Sequence, residues 1–229
     1  MLKRVVQLAP MDMTVRSKLI DQLVARGQVD EAIREYLELA DIYYRLAELD
    51  MARKTFTTAL RVVQQSNADR KWNVDILRRM ADIDMQRLDW KQAIRIYEQI
   101  RTLHPEDEGT RKNLIDLSLK MGQPAQASAE LESYLSYLQS NNHSAQGVPF
   151  IEDLLLERPD DPTLRRALAQ AYQHAGRMED AITQLDAIAE SLLDLGKKEE
   201  AMVIVNQILL MNPPHAEQYR QLLIQLRSQ

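Results

Sequence analysis

The stretch LELADIYYRLAELDMARKTF, Leu37–Phe56, ends one helical hairpin when read backwards and opens another when read forwards. A helix that does both must be apolar on two sides. Between Asp30 and Ala47 the apolar set is Ala32, Ile33, Tyr36, Leu37, Leu39, Ala40, Ile42, Tyr43, Tyr44, Leu46 and Ala47. That stripe is too wide for a helix that meets one core on a single face. The segment therefore predicts a long helix packed between two neighbours. The same is expected of Pro124–Gln139 and Met178–Leu195.

Small-residue landmarks recur around this stretch, the mark of a repeat architecture. Shifting the chain by 149 residues aligns Thr14–Leu60 with Thr163–Leu209 without a gap, and superposes Arg16 on Arg165, Gly27 on Gly176 and Ala32 on Ala181. A shorter period lies inside: Pro105, Pro159 and Pro213 fall 54 residues apart, as do Gly122 and Gly176. A proline after an apolar run ends a helix, because it cannot donate a hydrogen bond and disfavours helix in the residue before it. A glycine five residues ahead of an alanine marks a tight turn leading into a closely packed helix.

ADIYYRLAELDMARKTFTTAL (Ala40–Leu60) resembles the tetratricopeptide repeat (TPR), with Ala40, Tyr43, Ala47, Ala52, Phe56 and Ala59 in the expected order. ADIDMQRLDWKQAIRIYEQIRTLHP (Ala81–Pro105) and AQAYQHAGRMEDAITQLDAI (Ala169–Ile188) resemble it as well. The resemblance implies an all-α, right-handed superhelical solenoid of antiparallel helices. About twelve helices are expected, in units 11–66, 72–107, 108–161 and 162–213 with a final helix at 214–229. The chain also departs from the family. The second-helix landmark falls at Ala32, Ala52, Ala93, Ala127, Gly147, Ala181 and Ala201, so the steps are 20, 41, 34, 20, 34 and 20. A step of 34 is the family's length, and 41 adds an insertion around Gln64–Arg70. A step of 20 is too short for two helices and a turn, unless one helix serves two repeats.

At the ends, LKRVVQLAP reads as the tail of a closing helix and AEQYRQLLIQLRSQ as a lone final helix. A piece of a longer repeat protein is the expectation, as is self-association through Val5–Leu8 and Tyr219–Leu226.

The 229 residues are 45% apolar and 28% charged, the range of an ordinary folded chain. With 29 Lys and Arg against 34 Asp and Glu, the net charge of −5 argues against nucleic acid or an anionic membrane as partner. No apolar run reaches the roughly 18 residues of a spanning helix. There is no cysteine, which removes disulfide scaffolds, thiolate nucleophiles and Cys-based metal sites and fits a reducing, cytoplasmic setting. Phosphate-binding, hydrolase, zincin, dinucleotide and calcium-loop motifs are all missing. His104, His143, His174 and His215 are scattered near turns and read as capping or solvated residues rather than metal ligands. The expectation is a non-catalytic chain without cofactor.

The TPR resemblance further implies a concave groove lined by positions three before, one after and four after each small packing residue. These are Ser17, Asp21 and Val24; Arg78, Asp82 and Met85; Lys112, Asp116 and Leu119; and Arg166, Gln170 and Gln173, with His174 beside them. Arg78, Lys112 and Arg166 make a basic row beside an acidic row of Asp21, Asp82 and Asp116, suited to a peptide of mixed charge. The plainer alternative pairs Arg78 with Asp82 and Lys112 with Asp116 inside single helices, for roughly 0.2–0.5 kcal/mol each. TPR domains that clamp a terminal carboxylate use Asn where this chain has Asp21, Asp41, Asp82 and Asp116, so a chaperone-tail adaptor is disfavoured. Tyr36, Tyr43, Tyr97, Tyr134 and Tyr172 are spaced as core residues, while Tyr44 and Trp72 are candidate exposed anchors. QSNNHSAQG (Gln139–Gly147) reads as a surface loop. Together these predict a bacterial-type scaffold that binds a protein or peptide, with a regulatory sensor domain fused to an effector, or a self-assembling spacer, as the other readings.

Overall fold

The structure, a computed structural model, describes residues 2–66 and 71–228. Of the insertion at 64–70, residues 67–70 lie outside the described residues. The remainder is helical throughout, with no strand among the described residues. Two compact units divide it, Met1–Thr110 and Arg111–Gln229. The first holds α1 (Leu2–Leu8), α2 (Met13–Ala25), α3 (Val29–Arg45), α4 (Leu49–Gln64), α5 (Lys71–Gln86) and α6 (Trp90–Leu103). The division falls within α7 (Glu108–Lys120). The second holds α8 (Pro124–Ser140), a 3-10 turn (Ser144–Gln146), α9 (Gly147–Glu157), α10 (Pro162–His174), α11 (Met178–Asp194), α12 (Lys198–Leu210) and α13 (Ala216–Ser228). These thirteen α-helices exceed the expected dozen by α1. That segment is a helix in its own right because Val6 is buried against Leu19, Leu23 and Ala32.

The hairpin turns follow one local rule. Gly27, Ala47, Leu88, Gly122, Asn142, Gly176 and Gly196 all adopt φ between +57° and +74°. At each, the next residue's N–H reaches back to the carbonyl five positions earlier, at 2.7–2.9 Å, closing the helix with a Schellman cap. Each left-handed residue stands five positions before a landmark, and Ala32, Ala52, Ala93, Ala127, Ala181 and Ala201 are wholly buried. At Gly147 a Cβ would stand 2.7 Å from Leu135 Cδ2, so the neighbouring leucine occupies the space an alanine takes elsewhere. Asp12 and Asp161 start α2 and α10 alike, each carboxylate accepting two backbone N–H groups at 2.9–3.1 Å.

Those turns place each long helix between two others. In the first unit α3 packs on both α2 and α4, and α5 on α4 and α6. In the second, α11 packs on α10 and α12, while α8 contributes Tyr134 against Phe150 of α9 at 4.6 Å and also packs on α10. Most of the two-sided stripe is buried in α3, whose Ala32, Ile33, Leu39, Ala40 and Ile42 are all inside, while Tyr44 and, past the helix end at Arg45, Leu46 and Ala47 are exposed. Of the expected core tyrosines, Tyr97, Tyr134 and Tyr172 are buried. Tyr36 and Tyr43 are half-buried, since they lie at the margin of that stripe.

One polar tie repeats between consecutive helices. Arg16 pairs with Glu35, Arg111 with Glu130 at 2.5 Å, and Arg165 with Gln184 at 3.1 Å, each 19 residues apart. Arg53 and Asp84, the latter almost wholly buried, form a two-pronged pair at 2.6 and 2.9 Å joining α4 to α5.

Candidate functional site

The residues expected to line a groove have different fates. In the first unit, Ser17 turns its hydroxyl back to the Met13 carbonyl at 2.8 Å, which occupies its donor within α2. Asp21 is exposed on the same helix and adds to the burial that raises the Tyr36 pKa. Arg78 donates to Asp107 at 3.0 Å. Asp82 has its pKa raised by loss of hydration, partly opposed by Arg79, and Met85 is half-buried. The intrahelical Arg78–Asp82 pair is thus replaced by a tie reaching the turn before α7.

Tyr44 and Trp72, the candidate anchors, are also engaged. The Trp72 indole donates to Asp30 at 2.8 Å and the Tyr44 hydroxyl accepts from Gln86. With Arg79–Asp41 at 2.5 Å, these contacts fasten α5 to α3.

In the second unit, Lys112 pairs with Asp153 of α9 at 2.5 Å and lies 5.7 Å from the Phe150 ring. Asp116 accepts from Arg158 at 2.9 Å and from Lys120 at 2.6 Å. The alternative Lys112–Asp116 pair is again replaced, here by bonds from α7 to α9 and to Arg158, the residue after it. Leu119 packs on the core. Gln173 points to Met211, its amide nitrogen 3.0 Å from the sulfur.

Arg166 and Gln170 do line a concave surface. A cavity of about 780 Å³ opens between α8, the 3-10 turn with the start of α9, and α10, and Gln170 and His174 are in its wall. A smaller hollow of about 40 Å³ adjoins it through Glu132, Leu135 and Gln170, and Arg166 borders that end. The segment expected to be a plain loop supplies Gln139, Ser144 and Ala145 to the wall. Leu135, Val148 and Ala171 give it apolar area.

Glu152 of α9 accepts the Tyr172 hydroxyl at 2.6 Å. Burial, followed by this bond, pushes the Tyr172 pKa up to about 12. The Arg177 guanidinium lies 4.3 Å from the Tyr172 ring and is bonded to Asp180 at 2.6 Å. Glu132, Leu135 and Ser136 were missed in the sequence, and Gln139 was read as the start of a loop. Their spacing of three, one and three marks the second face of α8, so the signal was present in that helix's shared character.

Among the described residues no group of three or more His, Asp or Glu could hold a metal ion. No described helix is long and apolar enough to cross a membrane.

Two family models described as tetratricopeptide repeat match the chain, one at residues 85–147 and 140–192, the other at 27–62. Among curated proteins, none is similar to the sequence at a significant level. Solved structures similar to it include the MamA protein, at 14% identity over 75% of this chain and 96% of that one, with a TM-score of 0.41. BtubC from P. vanneervenii is 15% identical over 92% and 91%, with a TM-score of 0.46. YrrB, described as a TPR protein with an unusual peptide-binding site, is 13% identical over 95% and 97%, with a TM-score of 0.36. The repeat matches extend over more than half of the chain, and they coincide with the capped hairpins and buried alanines described above. The chain belongs to the tetratricopeptide repeat family.

Proposed function

We propose that this chain is a non-catalytic, cytoplasmic interaction module that holds a segment of another protein in the groove between α8, α9 and α10. The observation that carries this reading is the open cavity of about 780 Å³ lined by both apolar and polar side chains. Such a cleft suits a side chain and its flanking backbone better than a flat protein surface. Of the residues expected to line a groove, Gln170 and His174 are in its wall and Arg166 borders the adjoining hollow. Arg78, Lys112, Asp116 and Gln173 make contacts within the protein instead, and Ser17, Asp21, Asp82, Met85 and Leu119 lie outside this cavity's wall.

The absence of native cysteine offers a direct test. A photo-crosslinker on Ser136→Cys in the groove is compared with one on Ser191→Cys, an exposed position on α11. A protein crosslinked from the first position alone, and displaced when Ala175→Trp fills the groove, supports the reading. Equal crosslinking from both positions sinks it.

A second reading is self-association through the end helices. Leu8 is 81% exposed and Ile224 67%, leaving apolar surface at both. Light scattering over a concentration series tests it, and a constant monomer mass excludes it.

A further inference from the structure

Glu132 of α8 and Glu152 of α9 are both in the groove wall. Among the described residues no Lys, Arg or His nitrogen forms an ion pair with either carboxylate. Glu152 receives one hydrogen bond, from Tyr172 to Oε1, leaving Oε2 for a ligand. The groove's own guanidinium, Arg177, is bonded to Asp180 and stacked on Tyr172, and it feels the Glu152 carboxylate through space without forming an ion pair with it. Arg166 borders the smaller hollow, which Glu132 also lines, but forms no ion pair with it among the described residues.

A ligand that covers this cleft strips water from both carboxylates. That loss is restored most strongly by N–H donors carrying positive charge. An acidic segment would meet two like charges in this cleft and be disfavoured. Leu135 and Val148 offer the surface on which an apolar neighbour displaces water.

We propose that the groove selects a protein segment presenting a lysine or arginine to Glu132 and Glu152, with an apolar residue beside it on Leu135 and Val148. This rests on the groove being the site of binding.

The test uses the full chain and a phage-displayed library of random short peptides. Recovered sequences are synthesised with a fluorescent label and titrated by anisotropy against native protein, Glu132→Gln/Glu152→Gln and Ala175→Trp. Each variant is first matched to the native chain in circular-dichroism melting. The expected peptides share a Lys or Arg next to an apolar residue. Their binding weakens roughly tenfold or more with the Gln pair and is lost with Ala175→Trp. Replacing the peptide's cation by Gln produces the same loss, and the Gln pair then adds nothing further. Peptides that lack a cation, or that bind the Gln pair undiminished yet are excluded by Ala175→Trp, overturn the charge assignment and leave the groove standing. Peptides bound equally by Ala175→Trp, or a library that yields none, overturn both.

Discussion

Arg111 and Glu130 form an ion pair at 2.5 Å in which the two side chains keep only 4% and 7% of their surface exposed. The guanidinium also lies 5.3 Å from the Tyr134 ring centroid, so it is enclosed by α8 on two sides. The same relation joins Arg16 to Glu35 in the first unit. In the third copy Gln184 replaces the glutamate, and Asp160 supplies the charge to Arg165 at 3.3 Å. A buried pair of this kind adds little net stability over an apolar pair, yet removing one partner leaves an uncompensated charge inside.

Glu130→Ala is therefore expected to destabilise the chain by about 3–5 kcal/mol. The Glu35 side chain is 24% exposed, so solvent shares its charge and Glu35→Ala should cost less. Urea unfolding followed by circular dichroism compares the two. A Glu130→Ala loss no larger than that of Glu35→Ala would show that burial does not set the strength of the tie.

Leu88 holds φ +57° at its turn while 72% exposed, so the side chain contributes little to the core. A left-handed conformation costs an L-residue roughly 1–2 kcal/mol, whereas glycine's freedom in the unfolded chain costs roughly 0.5–1 kcal/mol. Leu88→Gly should stabilise by about 0.5–1 kcal/mol and raise Tm by about 1–4 °C. An unchanged or lowered Tm would contradict the turn assignment.

Tyr97, Tyr172 and Tyr219 have pKa values raised from 10.0 to about 12, in each case chiefly by burial. Tyr172 and Tyr219 also donate to Glu152 and Asp186, and ionising either would place two anions together. The unfolded chain loses these protons near pH 10 while the folded chain keeps them. Their stabilisation is thus complete below pH 10 and is lost as pH rises toward 12. Stability measured across that interval should fall more steeply for the native chain than for Tyr172→Phe/Tyr219→Phe. Parallel curves would refute the linkage.

Charge reversal separates Lys112, which is paired, from Arg166, which forms no ion pair among the described residues. Lys112→Glu faces Asp153 with a like charge and should lower stability by up to about 1 kcal/mol, the scale of a partly exposed pair. Arg166→Glu breaks no ion pair and should leave thermal melting unchanged while altering ligand binding. A Tm loss for Arg166→Glu equal to that for Lys112→Glu would place Arg166 among the structural ties.

The sequence by itself determined the hairpins. Apolar period, turn residues and small landmarks act within a few positions of one another, and their steps of 20 and 34 required helices shared between neighbours. The alanines read as packing residues are wholly buried, and Ala47 and Leu88 take the left-handed turn that glycine takes elsewhere. Tertiary structure alone decided which charges remain available to a ligand. Helical period matches a residue only with positions one turn away, and so pairs Arg78 with Asp82 and Lys112 with Asp116. Folding instead brings Asp107, Asp153 and Arg158 to them from 29 to 42 residues away. The groove arises the same way. Its wall takes side chains from α8, α9 and α10, and only their packing brings Glu132 and Glu152 into one cleft.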